Sequence, residues 1–85
     1  MKNFYFTFGS DPAYPYGRED FVMVEAENLN QAIQLFNAVH PKREGSDCVN
    51  CAAWYGEEFF SNIHDRYYRG VAPREIISLK ILRNS

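Results

Sequence analysis

Basic residues are in short supply: nine Lys and Arg stand against eleven Asp and Glu, a formal net charge of −2 over 85 residues. That removes the dense positive footprint by which proteins hold nucleic acid through charge. The acidity is also too slight for a protein that imitates DNA by charge alone. No apolar run approaches the length that spans a membrane. The opening "MKNFYFTFGS" has a single Lys and too short an apolar run for a signal peptide, so the expected location is the cytoplasm. Glycines are few, and "GSDPAYPYGR" lacks both the spacing and the Gly-Lys-Ser/Thr ending of a phosphate loop. No nucleophile elbow surrounds Ser10, Ser46, Ser61, Ser78 or Ser85. The Glu57–Glu58 pair suits the positive end of a helix and gives no paired-carboxylate geometry for acid–base work. Nothing in the chain nominates an enzyme.

What the chain does have is hydrophobic and, above all, aromatic content. Apolar residues make up 46%, with seven Phe, six Tyr and one Trp, enough for a core and more ring surface than a core needs. The length fits one domain. Domains this small often add a staple, a metal or a disulfide.

Periodicity predicts the elements. Residues 3–8, "NFYFTF", alternate Phe4, Phe6 and Phe8 with Asn3, Tyr5 and Thr7, which is a strand. A Gly/Pro loop follows over 9–19, then a second strand over 20–26 with apolar residues on both faces. Asn28 and Gln31 form a capping box for a helix whose apolar face is Leu29, Ala32, Ile33, Phe36, Val39 and His40. Pro41 ends it. A polar connection leads to a short extended segment over 51–55. A second helix spans "GEEFFSNIHDRYYRG", with Phe59, Phe60, Ile63 and Tyr67 as its apolar arc and Gly70 past its end. A last strand covers 76–82, with Ile77, Leu79 and Ile81 on one face. The expected fold is α+β in the order β-β-α-β-α-β, a small, mainly antiparallel sheet with both helices on one face.

The chain's two cysteines form one motif, "DCVNC" at 47–51. Cys48 and Cys51 have the spacing of a zinc knuckle, in which a tight turn aims two thiolates at one ion. Twelve residues separate Cys51 from His64, a gap found in two-Cys, two-His fingers, though the second histidine expected just beyond His64 is missing. His40 closes the first helix, eight residues before Cys48. The expectation is a closed, structural zinc held by Cys48, Cys51, His64 and His40, with Asp47, Asp65 or a water as alternatives to His40, stapling both helices to the polar loop. Two other readings stay open. Free Cys is among the most buried residue types, so the pair can be inert core. A thiol-redox pair is the third, although such pairs open a helix and this one precedes "AAWY".

The surplus aromatics suggest a binding surface. Tyr14, Tyr16 and Arg18 share the first loop, and Arg66, Tyr68 and Arg69 fall at the end of the second helix, on its expected outer side. Tyr and Arg are enriched among residues that dominate binding energy. Aromatics interleaved with Arg can also stack nucleobases.

Five segments, "FYFTFGS" (4–10), "YPYGR" (14–18), "EAENLNQAIQLF" (25–36), "NCA" (50–52) and "PREII" (73–77), give the chain its resemblance. It resembles a family of small proteins carried by prophages and mobile elements of Gram-positive bacteria. Some of these are anti-CRISPR inhibitors of the type II nuclease Cas9, and one group of them is thought to contain zinc. The resemblance implies a non-enzymatic inhibitor, acting in the bacterial host cytoplasm, that blocks Cas9 by binding it. The near-neutral charge favours a protein surface of the nuclease as its target. The alternative is a nucleic-acid-binding or regulatory module of a mobile element.

Overall fold

The structure is a computed structural model that describes residues 1–78. Its elements are β1 (Lys2–Thr7), β2 (Phe21–Ala26), α1 (Leu29–Val39), β3 (Ala53–Gly56), α2 (Glu57–Tyr67) and β4 (Glu75–Ser78). The predicted order holds throughout. The strands form one four-stranded sheet in the order β3-β1-β2-β4. The β1–β2 and β1–β3 pairs are antiparallel, and β4 joins β2 in parallel. Leu79 and Ile81, placed in the last strand by their alternation, lie outside the described residues.

The two helices do not share a face, which corrects the expectation. Successive side chains of a strand point to opposite sides of a sheet. Phe4 and Phe6 of β1 sit opposite Val24 and Val22, and Ile77 lies beside Val24. This face receives Ala32, Leu35 and Phe36 of α1. Phe6 and Phe36 stack with centroids 4.4 Å apart and planes 7° from parallel. The other face carries Tyr5, Phe21 and Met23, and α2 covers part of it through Phe60. Tyr5, Tyr55 and Phe21 together are too large and apolar to leave in water, so the sheet needs cover on both sides.

The helices are offset across the sheet. α1 lies chiefly over β2 and β4, with Phe36 reaching Phe6 of β1, whereas α2 lies chiefly over β1 and β3, with Phe60 reaching Phe21 of β2. One quadrant per face is therefore left thinly covered: Trp54 is 41% exposed on the α1 side and Ile76 is 45% exposed on the α2 side.

The helix starts follow the sequence closely. Asn28 Oδ1 accepts from the Gln31 N–H at 2.9 Å, and Gln31 Oε1 accepts from the Glu27 N–H at 2.7 Å. Their buried stripes shift. In α1 the fully covered residues are Ala32, Leu35 and Phe36, while Leu29 is partly exposed. In α2 the predicted arc is wrong for two of four residues. Phe60 is buried, but Phe59 and Tyr67 are 74% and 70% exposed. Tyr68, just past the helix, turns inward and sets its ring edge-on to Phe21 at 5.3 Å. Gly70 supports this turn with φ +80. No helix among the described residues is long and apolar enough to cross a membrane.

Candidate functional site

The four residues expected to hold zinc are divided by the sheet. His40 is the C-cap of α1, on the α1 side. Its Nε2 lies 2.6 Å from Glu75 Oε1, and its ring packs against Phe36 and Tyr16. Cys51 is buried in the same core. His64 is on the far side, edge-on to Phe21 at 5.7 Å, and its Nε2 donates to the Val71 carbonyl at 3.0 Å. Cys48 is exposed, its N–H bonded to Ser46 Oγ at 3.2 Å. Among the described residues no group of three or more His, Cys, Asp and Glu could hold a metal ion. The zinc staple is overturned. The spacing is that of a knuckle, but one thiol turns out to solvent and the other into the core.

Redox chemistry needs the opposite of what Cys51 has. Burial pushes its thiol up to about 11, whereas exchange-active thiols are lowered. The environment of Cys51 is that of a small core residue.

The loop that was expected to need a metal is held by ordinary contacts. Val49 and Cys51 pack into the α1-side core. The Ala52 N–H donates to the Thr7 carbonyl at 2.8 Å, and Arg43 pairs with Asp11 at 3.1 Å. The Asp11 carboxyl is held below the ordinary range by the Ala13 N–H and then by Arg43.

The six candidate binding residues do not form one patch. Tyr14 and Tyr16 are half-buried against Phe8. Arg43 lies 5.0 Å over the Tyr14 ring and Arg74 lies 5.6 Å over Tyr16. These tyrosines mostly roof the α1-side core. Arg18 beyond them is exposed. Arg66 and Arg69 are exposed near the end of α2, as expected, but Tyr68 between them is 7% exposed and belongs to the core under Phe21.

The exposed surface that does stand out was not singled out from the sequence. Phe59, Ile63 and Tyr67 repeat every four residues, so they form one ridge along α2. Two of the three are largely in solvent and Ile63 is half-buried. The signal was the doublet Phe59-Phe60: a narrow helix face cannot bury both. The opposite flank of α2 borders a groove of about 370 Å³ that includes Tyr5, Phe21, Phe60 and His64.

No protein-family model, no curated protein and no solved structure matches the chain.

Proposed function

We propose that this protein is a non-enzymatic binding module that inhibits a partner by covering part of its surface, the partner being a type II Cas9 nuclease. The observation that carries the binding role is the Phe59–Ile63–Tyr67 ridge, with Phe59 and Tyr67 at 74% and 70% exposure and Arg66 exposed beside them. Folded domains keep large apolar patches off their surface unless something covers them. Aromatic rings flanked by Arg are the composition of binding anchors. An amphipathic helix that presents such a row can enter a groove on a partner. The choice of Cas9 rests on the resemblance in five sequence segments, without any contribution from a metal.

Binding of the purified protein to guide-loaded type II Cas9, together with inhibition of cleavage, is the test. Micromolar or tighter binding is expected. The double variant Phe59→Ser/Tyr67→Ser should lose at least about 30-fold in affinity, the loss of one strong anchor. Absence of binding and inhibition at micromolar concentration sinks the nuclease assignment. Unchanged binding by the double variant sinks the ridge. Binding instead to DNA or RNA, with affinity falling steeply as salt rises, would point to the nucleic-acid alternative.

A further inference from the structure

The two flanks of α2 differ in chemistry. One carries the apolar ridge. The other borders the groove, to which the sheet contributes Tyr5, Phe21 and Met23 and the helix contributes Phe60, Glu57 and Asp65. Its volume, about 370 Å³, lies at the small end of the ~300–1,000 Å³ typical of ligand sites, so it suits one or two side chains. Tyr5 and Phe60 stack within it, centroids 4.2 Å apart and planes 9° from parallel, and Phe21 tilts against Phe60 at 4.9 Å.

Glu57 and Asp65 are two turns apart on α2, about 12 Å along the helix axis, so they bracket the groove lengthwise. Among the described residues the basic side chains set against carboxylates are His40, on Glu75, and Arg43, on Asp11, and neither groove carboxylate has such a partner. The Glu57 charge is felt inside: after burial itself, it is the next cause that raises the Tyr5 phenol. His64 commits its Nε2–H to the Val71 carbonyl.

Aromatic faces are electron-rich and attract cations. Carboxylates bracketing them do the same. An anion would be repelled here. A purely apolar chain would cover the carboxylates without pairing them, which is unfavourable. The chemistry that fits is an aliphatic stem ending in a positive charge, which is how Arg and Lys side chains lie on apolar surfaces. We infer that the groove between α2 and strands β1 and β2 receives an arginine or lysine side chain presented by a polypeptide segment of a partner protein. The stem lies on the rings of Tyr5, Phe21 and Phe60, and the cationic head meets Glu57 or Asp65. This rests on the protein-binding reading above and adds a second, polar anchor to the ridge.

The test is an NMR titration of the ¹⁵N-labelled full chain with the blocked tripeptide acetyl-Ala-Arg-Ala-amide. The neutral citrulline tripeptide, nearly the same shape, is the comparison. Saturable shifts at Phe21, Phe60, His64 and Val71 are expected with the arginine peptide. The citrulline peptide should bind at least about five-fold more weakly, as loss of one charged contact implies. Glu57→Gln/Asp65→Asn alters two exposed side chains and should lower the arginine peptide to the citrulline level while the spectrum stays folded. Equal binding of the two peptides, shifts located elsewhere, no saturable shift, or an unchanged response in the Glu57→Gln/Asp65→Asn protein each overturn the proposal. Phe59→Ser/Tyr67→Ser is the control. It should take the arginine peptide normally even where it fails to bind the partner, so groove and ridge fail separately.

Discussion

Tyr5 and Phe6 are neighbours in β1, yet their rings lie in different cores. Tyr5 stacks on Phe60 of α2 with centroids 4.2 Å apart, and Phe6 stacks on Phe36 of α1 at 4.4 Å. One peptide unit thus joins the α1-side core to the smaller α2-side cluster.

The two cores should respond unequally to truncation. Phe36 is fully buried, and Phe36→Ala should cost about 3–5 kcal/mol. That is most of the stability of a small domain, roughly 5–15 kcal/mol. Phe60→Ala removes a ring from a cluster that borders an open groove, so its cost should fall near the lower end of that range, about 3 kcal/mol. Urea denaturation of both variants measures the difference. A larger loss at Phe60 than at Phe36 would reverse this ranking of the cores.

The start of α1 should be worth a measurable amount. Asn28→Ala removes the side-chain acceptor of the Gln31 N–H and should cost about 1 kcal/mol. The urea midpoint should fall with the slope unchanged. A shift indistinguishable from zero would show that the Glu27–Gln31 bond alone secures the helix start.

His40 and Glu75 tie the end of α1 to the start of β4. Their side chains are 16% and 31% exposed, so the pair is partly shielded from solvent. A double-mutant cycle with His40→Ala and Glu75→Ala should give a coupling of about 1 kcal/mol, the upper end for exposed pairs. His40→Ala alone should cost more than Glu75→Ala, because its ring also packs on Phe36 and Tyr16. Coupling within error of zero would reduce the contact to packing.

Alkaline pH should destabilise the fold through Cys51. Burial raises its thiol from 9.0 to about 11. Between those values the unfolded chain releases the proton and the folded chain keeps it, so stability falls as pH rises from about 9 to 11. The loss should be on the order of 2 kcal/mol, and nothing changes near neutrality. Tyr5, Tyr16 and Tyr68 are raised too, each chiefly by burial, and push the same way at higher pH. Cys51→Ala should remove the thiol's share of this dependence. In the folded protein a thiol reagent should modify Cys48 quickly and Cys51 only on unfolding. Equal rates would contradict the burial of Cys51.

Local signals in the sequence carried furthest. The Asn28 cap, the alternation of Phe4 and Phe6, and the acidic start of α2 are decided within a few residues, and each appears where the pattern places it, although Gln31 reaches past the Asn28 N–H of a capping box to the Glu27 N–H. Properties set by distant pairing were not legible. Whether Tyr5 meets water or a ring depends on which side of the sheet α2 crosses. The same choice of side separates His64 from His40 and Cys51, so correct ligand spacing along the chain could not become a ligand sphere. The exposed state of Arg66 and Arg69 was readable from their polarity, whereas Tyr67 and Tyr68 exchange roles: Tyr68 continues the inward row of Phe60 and His64, and Tyr67 the outward row of Phe59 and Ile63.

The strand order β3-β1-β2-β4 has a consequence for how the molecule comes apart. The first half of the chain supplies the two central strands, and the second half supplies a strand to each outer edge. Residues 53–78 therefore clasp the β1–β2 pair from both sides. Neither half can peel away without opening two strand interfaces at once. The fold should unravel in a single cooperative step, and a chain cut between α1 and β3 would leave a hairpin with both borders unzipped.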